Sequence, residues 1–234
     1  MKKSTTLIIA LISTSVFSQQ HKRELYDSLK VYTYNAVFIN EVGDTSSNET
    51  ILFKPQGKIW KIDEQQDVVK TIYSSNDSVL AQFKNPKDKK KEHTKIRKTI
   101  ESTSGLIETD SLIWLHPFRG NQYAYTEVAP FPEVKISKLQ VGKCWNGGEL
   151  SIQFGWGGLK GKVIDNYQVI GNSQISWNNK ELRDCWEIKA TGIHNKLGES
   201  TVNYIFQKEV GFLTMDYHFY NGYRIVFSLV EIGG

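Results

Sequence analysis

Cysteine is nearly missing from this chain: among 234 residues only Cys144 and Cys185 carry thiols. Two isolated cysteines without clustered histidines make no zinc set, and the sequence holds no calcium loop. No metal and no cofactor is expected. In an exported chain the two thiols are a candidate disulfide; otherwise they pack as small apolar residues. Long apolar runs are missing too. After residue 20 no run reaches the ~20 apolar residues of a membrane helix. A dominant charge is also absent, with 29 Lys and Arg against 25 Asp and Glu. That balance argues against a nucleic-acid partner. No convincing helical periodicity follows residue 30, which leaves an all-β chain.

Catalytic signatures are equally scarce. The histidines are His21, His93, His116, His194 and His218, and none stands in a Gly-x-Ser-x-Gly elbow or near a cysteine. The stretch Gly155 to Lys162 looks at first like a phosphate loop. Trp156 stands where its first glycine should be, Val163 replaces the hydroxyl residue, and a strand pattern follows instead of a helix. It reads as a glycine-rich turn that presents Trp156.

What is present begins with an export signal. Lys2 and Lys3 precede an apolar run from Leu7, and Val16-Phe17-Ser18 resembles a cleavage site. Residues 1–18 are expected to be removed. No cysteine follows the apolar run, so the mature protein is expected to be periplasmic or secreted without a lipid anchor. Residues 19–234 would then form a single β domain, or two halves meeting near residues 129–134, where Pro130 and Pro132 hold an extended connection. His21 to Lys30, with Leu25 and Leu29 at helical spacing, is a short helix or a frayed arm.

Strands follow quickly. Tyr32, Tyr34 and Phe38 alternate in the first, and Pro55-Gln56-Gly57 and Ser74 to Asp77 read as hairpin turns. Tyr123 to Val128 reads as another strand. From Gly148 to Glu231 five alternating segments run on. In the last hairpin Leu213, Met215, Tyr217 and Phe219 face Tyr223, Ile225, Phe227 and Leu229 around Asn221-Gly222. A two-residue turn would put Arg224 and Ser228 on the apolar face. A three-residue turn, Tyr220 to Gly222 with Gly222 left-handed, puts all eight apolar residues on one face, so burial selects it.

Pro130-Phe131-Pro132-Glu133-Val134, Gly142-x-x-Trp145, Asp184-Cys185-Trp186-x-Ile188, Tyr204-x-Phe206 and Gly211-Phe212 resemble motifs of uncharacterised exported proteins of flavobacterial type, over residues 110–231. More distantly, the pattern is similar to secreted domains of unknown function built on a curved antiparallel sheet, like periplasmic lipoprotein carriers of the Lol type. The resemblance implies a large curved antiparallel sheet or half-open barrel, Lol-like or sandwich-like. It brings no catalytic residues.

A curved sheet without a covering helix has a concave face to fill, with a second sheet or with an apolar ligand. Trp145, Trp156, Trp177 and Trp186 are candidates for its lining. His116 and Arg119 lie close together in sequence and are candidates for a polar contact there. The expected function is therefore non-enzymatic binding of a lipid, acyl chain or partner segment. The charge run Lys84–Lys98 holds eight Lys or Arg against Asp88 and Glu92. It would dock on an acidic membrane surface, or serve as a solvated loop or lysine-blunted edge. Two alternatives stand beside this reading. One is an envelope glycan hydrolase using Asp184 or Glu127 with His116; the other is a structural or adhesive module. A carrier requires a deep apolar cavity, an enzyme a polar cleft with converging groups, and a structural module a filled core.

Overall fold

The computed structural model of the protein describes residues 24–75, 82–83, 94–95, 99–152 and 160–234. The export signal, His21, most of Lys84–Lys98 and Trp156 lie outside the described residues. The strands are β1 (Val31–Ile39), β2 (Thr45–Trp60), β3 (Asp63–Ser75), β4 (Gln82–Phe83), β5 (Thr94–Lys95), β6 (Thr99–Glu108), β7 (Leu112–Leu115), β8 (Glu133–Lys135), β9 (Cys144–Ile152), β10 (Gly161–Trp177), β11 (Lys180–His194), β12 (Gly198–Gln207), β13 (Gly211–His218) and β14 (Arg224–Gly233). Among the described residues β4 and β5 pair only with each other. The other twelve strands form one antiparallel sheet in the order β8-β7-β6-β3-β2-β1-β14-β13-β12-β11-β10-β9.

This order has a simple logic. Each half of the chain is a meander with short links, as antiparallel neighbours allow. The first half runs outward from β1 to β8 and the second returns inward from β9 to β14. They join at the centre through β1 and β14, from Val31↔Gly233 to Ile39↔Arg224. The outer edges, β8 and β9, are consecutive in the chain. The sheet curls until these edges approach, making a nearly closed barrel.

Period-two burial drives the curl. Tyr32, Tyr34, Ala36 and Phe38 of β1 point inward, as do Val163, Asp165, Tyr167 and Val169 of β10. The final hairpin has the register that burial selects. Met215 faces Phe227 and Tyr217 faces Ile225. Phe219 N–H donates to Tyr223 O, Gly222 N–H donates to Phe219 O, and Gly222 has φ 85°.

Several local expectations are corrected. Pro55-Gln56-Gly57 is no hairpin turn but a bulge inside β2, with the register shifting between Pro55 and Ile59. Pro55 lies past the last β1 rung, Tyr32↔Phe53, so its missing N–H loses no ladder bond there. Residues 67–74 of β3 pair with β6, not with the strand that follows Asp77. Residues 24–30 are neither helix nor frayed arm. The backbone N–H groups of Glu24, Leu25 and Tyr26 all donate to the Glu108 carboxylate, at 2.8–3.0 Å. Leu25 and Tyr26 are buried beneath this clasp.

The largest correction concerns 116–132, between β7 and β8. Tyr123 to Val128 is not a strand; Asn121–Val128 is a 3-10 turn that lies across the concave face. Phe118 packs on Tyr34 (4.9 Å between ring centroids), Phe53 (5.9 Å) and Phe227 (5.0 Å). Tyr123 contacts Tyr73 and Phe227 and donates its hydroxyl to Ala36 O. Tyr125 reaches Phe38, Phe219 and Tyr223. The concave face expected to await a ligand is therefore filled by the chain itself.

Candidate functional site

A cleft of about 440 Å³ lies where the two sheet edges diverge. One bank is the end of β9, Leu150 to Ile152. The other is the filling segment, through His116, Arg119, Glu127 and Phe131, with Ile62 of the β2–β3 turn at the rim. The lining is mainly apolar, and its size is ordinary for a small-molecule site.

Strand β7 ends at Leu115, and His116 N–H still donates to Gly105 O of β6, which fixes the entry of the filling segment. The His116 ring sits among Phe131 (4.8 Å), Trp114 (5.3 Å) and Trp60 (6.3 Å). Its Nδ1 is buried without a hydrogen-bond partner among the described residues. Burial, and then the Arg119 charge, push the imidazole down to about 3, so it is neutral at physiological pH. Arg119 is anchored by its backbone N–H, which donates to Tyr73 Oη at 2.9 Å. The next residue must be small, because a Cβ on Gly120 would meet the Tyr73 ring at 2.7 Å. Arg119 Nε stands 3.9 Å from Glu127 Oε1, a loose ion pair and not a hydrogen bond. A guanidinium held this way can still offer its fork to a carboxylate.

His116 and Arg119 are thus brought together, with Glu127 beside them. The tryptophans do not join them. Trp145 is buried, stacked on Tyr167 with ring planes 3° apart, and donates Nε1–H to Glu133 Oε1 at 2.8 Å. It borders a separate surface depression with Cys144, Asn166, Gln168 and Lys189. Trp177 donates to Leu229 O and ties the tip of the β10–β11 hairpin to β14. Trp186 is half-buried against the core and faces Phe206.

The disulfide is not formed: Cys144 is free and exposed, Cys185 free and buried. They flank β10 on opposite sides, opposite Gln168 and Ser173 respectively. That offset separates them by on the order of 15 Å along the strand, beyond disulfide reach. Asp184 is exposed, with φ 54°, in the irregular stretch where the β10–β11 register shifts, and it is not among the residues of the cleft. His194 lies apart from the cleft. It is buried at the end of β11, where its Nδ1 accepts from Lys196 and Leu197 N–H. Among the described residues no group of His, Cys, Asp and Glu could hold a metal.

Sequence reasoning did not join two buried carboxylates. Glu133 of β8 and Asp165 of β10 are 8% and 5% exposed. Burial raises Glu133, while Asp165 is pushed up to about 7 by burial and then by Glu133. Asp165 on the inward face of β10 was the available signal.

No family model and no curated protein matches the chain. Among solved structures, it is similar to a protein from Bacteroides fragilis described as exported and of YmcC-like fold. That match has 6% identity and a TM-score of 0.43, covering 90% of this chain and 98% of that one. It is also similar to a protein from Parabacteroides distasonis described as a lipoprotein, at 12% identity and TM-score 0.40, covering 89% and 97%. At these scores neither transfers a function to this chain. Among the described residues no helix is long and apolar enough to cross a membrane.

Proposed function

We propose that this is an exported binding protein, with residues 1–18 removed, whose cleft takes an amphiphile with an apolar body and a carboxylate head. The observation that carries the reading is Arg119 beside neutral His116 in a mainly apolar cleft, with Glu127 standing off at 3.9 Å from the guanidinium. Ile62, Phe131, Leu150 and Ile152 would desolvate an acyl chain. Arg119 would hold the carboxylate, and His116 would add an uncharged polar contact. Lys84–Lys98 would bring the protein to acidic headgroups. The filled concave face favours this smaller site over a deep carrier cavity. His116 favours binding over hydrolysis, because an imidazole so hard to protonate is a weak general base.

Native mass spectrometry of protein purified from an envelope-containing host should show a bound mass that dissociates on activation. Dodecanoate titrated onto stripped protein should bind, and Arg119→Ala should weaken it by roughly 10- to 100-fold, the value of a charge-assisted hydrogen bond. A clean unliganded mass together with no dodecanoate binding sinks the proposal.

A further inference from the structure

The sheet is not closed by a backbone ladder. β8 and β9 end the strand order, and side chains bridge the gap between them. Trp145 Nε1–H donates to Glu133 Oε1, and Lys135 Nζ donates to Asn146 O at 3.3 Å. From deeper in the second half, Tyr167 donates to Phe131 O and Tyr204 to Glu133 O. Asp165 lies under this seam. A Cβ on Gly192 would sit 2.7 Å from Asp165 Oδ1 and 2.9 Å from Pro130, so the carboxyl and the segment leading into β8 crowd the same glycine of β11. Asp165 Oδ1 has no hydrogen-bond partner among the described residues.

We infer that this seam is a pH-operated latch: ionisation of Asp165 beside Glu133 loosens β8 and the filling segment from β9. Two largely buried carboxylates resist joint ionisation, since each disfavours the charged form of the other. Relief comes from one cation, on the Glu133 side. On β8, Lys135 Nζ lies 3.6 Å from Glu133 Oε1 with its side chain 38% exposed. On β10, β12 and β13 the neighbours are the phenols of Tyr167, Tyr204 and Tyr217, all kept neutral by burial. β9 offers the Trp145 indole, and β11 only Gly192.

The direction is set by linkage. Burial and then the Glu133 charge push the Asp165 carboxyl up from its ordinary 3.8 to about 7 in the fold. Its favourable contribution is therefore complete at acid pH, falls as pH rises between these values, and is gone above about 7. The latch is shut in acid and eased in neutral to alkaline solution. The cleft lies further along the same gap, between Phe131 and Ile152. Control of ligand entry rests on the binding proposal, whereas the latch is measured without ligand.

The reporter is the Trp145 indole N–H in ¹⁵N-tryptophan-labelled, unliganded full chain, assigned with Trp145→Phe. Between about pH 5 and about pH 9 its resonance should titrate with a midpoint near 7, and its exchange with water should rise above that midpoint. In Asp165→Asn the midpoint near 7 should disappear, leaving only the response of Glu133, which accepts from the indole. In Glu133→Gln, which keeps an acceptor for the indole, the midpoint should move to lower pH; this variant also serves if Asp165→Asn does not fold. A Trp145 signal that stays constant across the range overturns the latch. So does one whose midpoint is unchanged in Asp165→Asn or in Glu133→Gln. If the latch titrates but dodecanoate does not bind, the binding proposal fails alone.

Discussion

The two halves of the sheet use the same strand alternation and differ in where their order comes from. The second half, β9 to β14, is a set of long hairpins whose partners lie next to one another in the chain. The first half, β1 to β8, spends its last stretch differently: 116–132 leaves the sheet and fills the hollow that both halves enclose. One half is specified by its turns, the other by contacts that exist only after the sheet has curled.

The sharpest way to break this contrast is Phe118→Ala. Phe118 is 2% exposed and touches strands of both halves, so its loss should destabilise the fold by about 3–5 kcal/mol in urea unfolding. A loss under about 1 kcal/mol would mean the filling segment is dispensable and the hollow can accept other contents. Next comes Glu108→Ala, which orphans the three N–H groups of the N-terminal clasp. It should cost about 2–3 kcal/mol and expose residues 24–26 to hydrogen exchange while β12–β14 stay protected. In the second half, Gly222→Ala forces a side chain into a left-handed turn residue and should cost about 1 kcal/mol. The smallest effect belongs to Arg224→Gln. Its bidentate pair with Asp216, at 2.7 Å, lies near solvent, so the change should stay below about 1 kcal/mol and shrink further in salt.

The same contrast explains which features could be read in the sequence. The final hairpin was legible down to its register because only one pairing buries all eight apolar residues. The class and the curl came from alternation repeated along the chain. Tyr123 and Tyr125 misled because two aromatics spaced by two imitate a strand, while in the 3-10 turn Gln122, Tyr123, Tyr125, Thr126 and Val128 are all buried. Nothing local distinguishes these cases. Failure of the cysteines to meet depends on two ladders with β10, and neither register is written near Cys144 or Cys185. His116 and Arg119 were legible as neighbours because they share one short segment. Their cleft was not, since its far bank is β9. A curved sheet without a covering helix suggested an open hollow, and the filled one arises from aromatic contacts that reach from Tyr34 to Phe227.

The central pairing of β1 with β14 bears on how the molecule is made. During synthesis β1 emerges first, yet one of its two neighbours is the last strand to appear. Until then its Tyr- and Phe-bearing edge has no native partner on that side and is open to strangers. The barrel cannot complete itself piecemeal as the chain emerges. Folding should be slow, dominated by distant contacts, and well suited to a chain kept unfolded until its far end arrives.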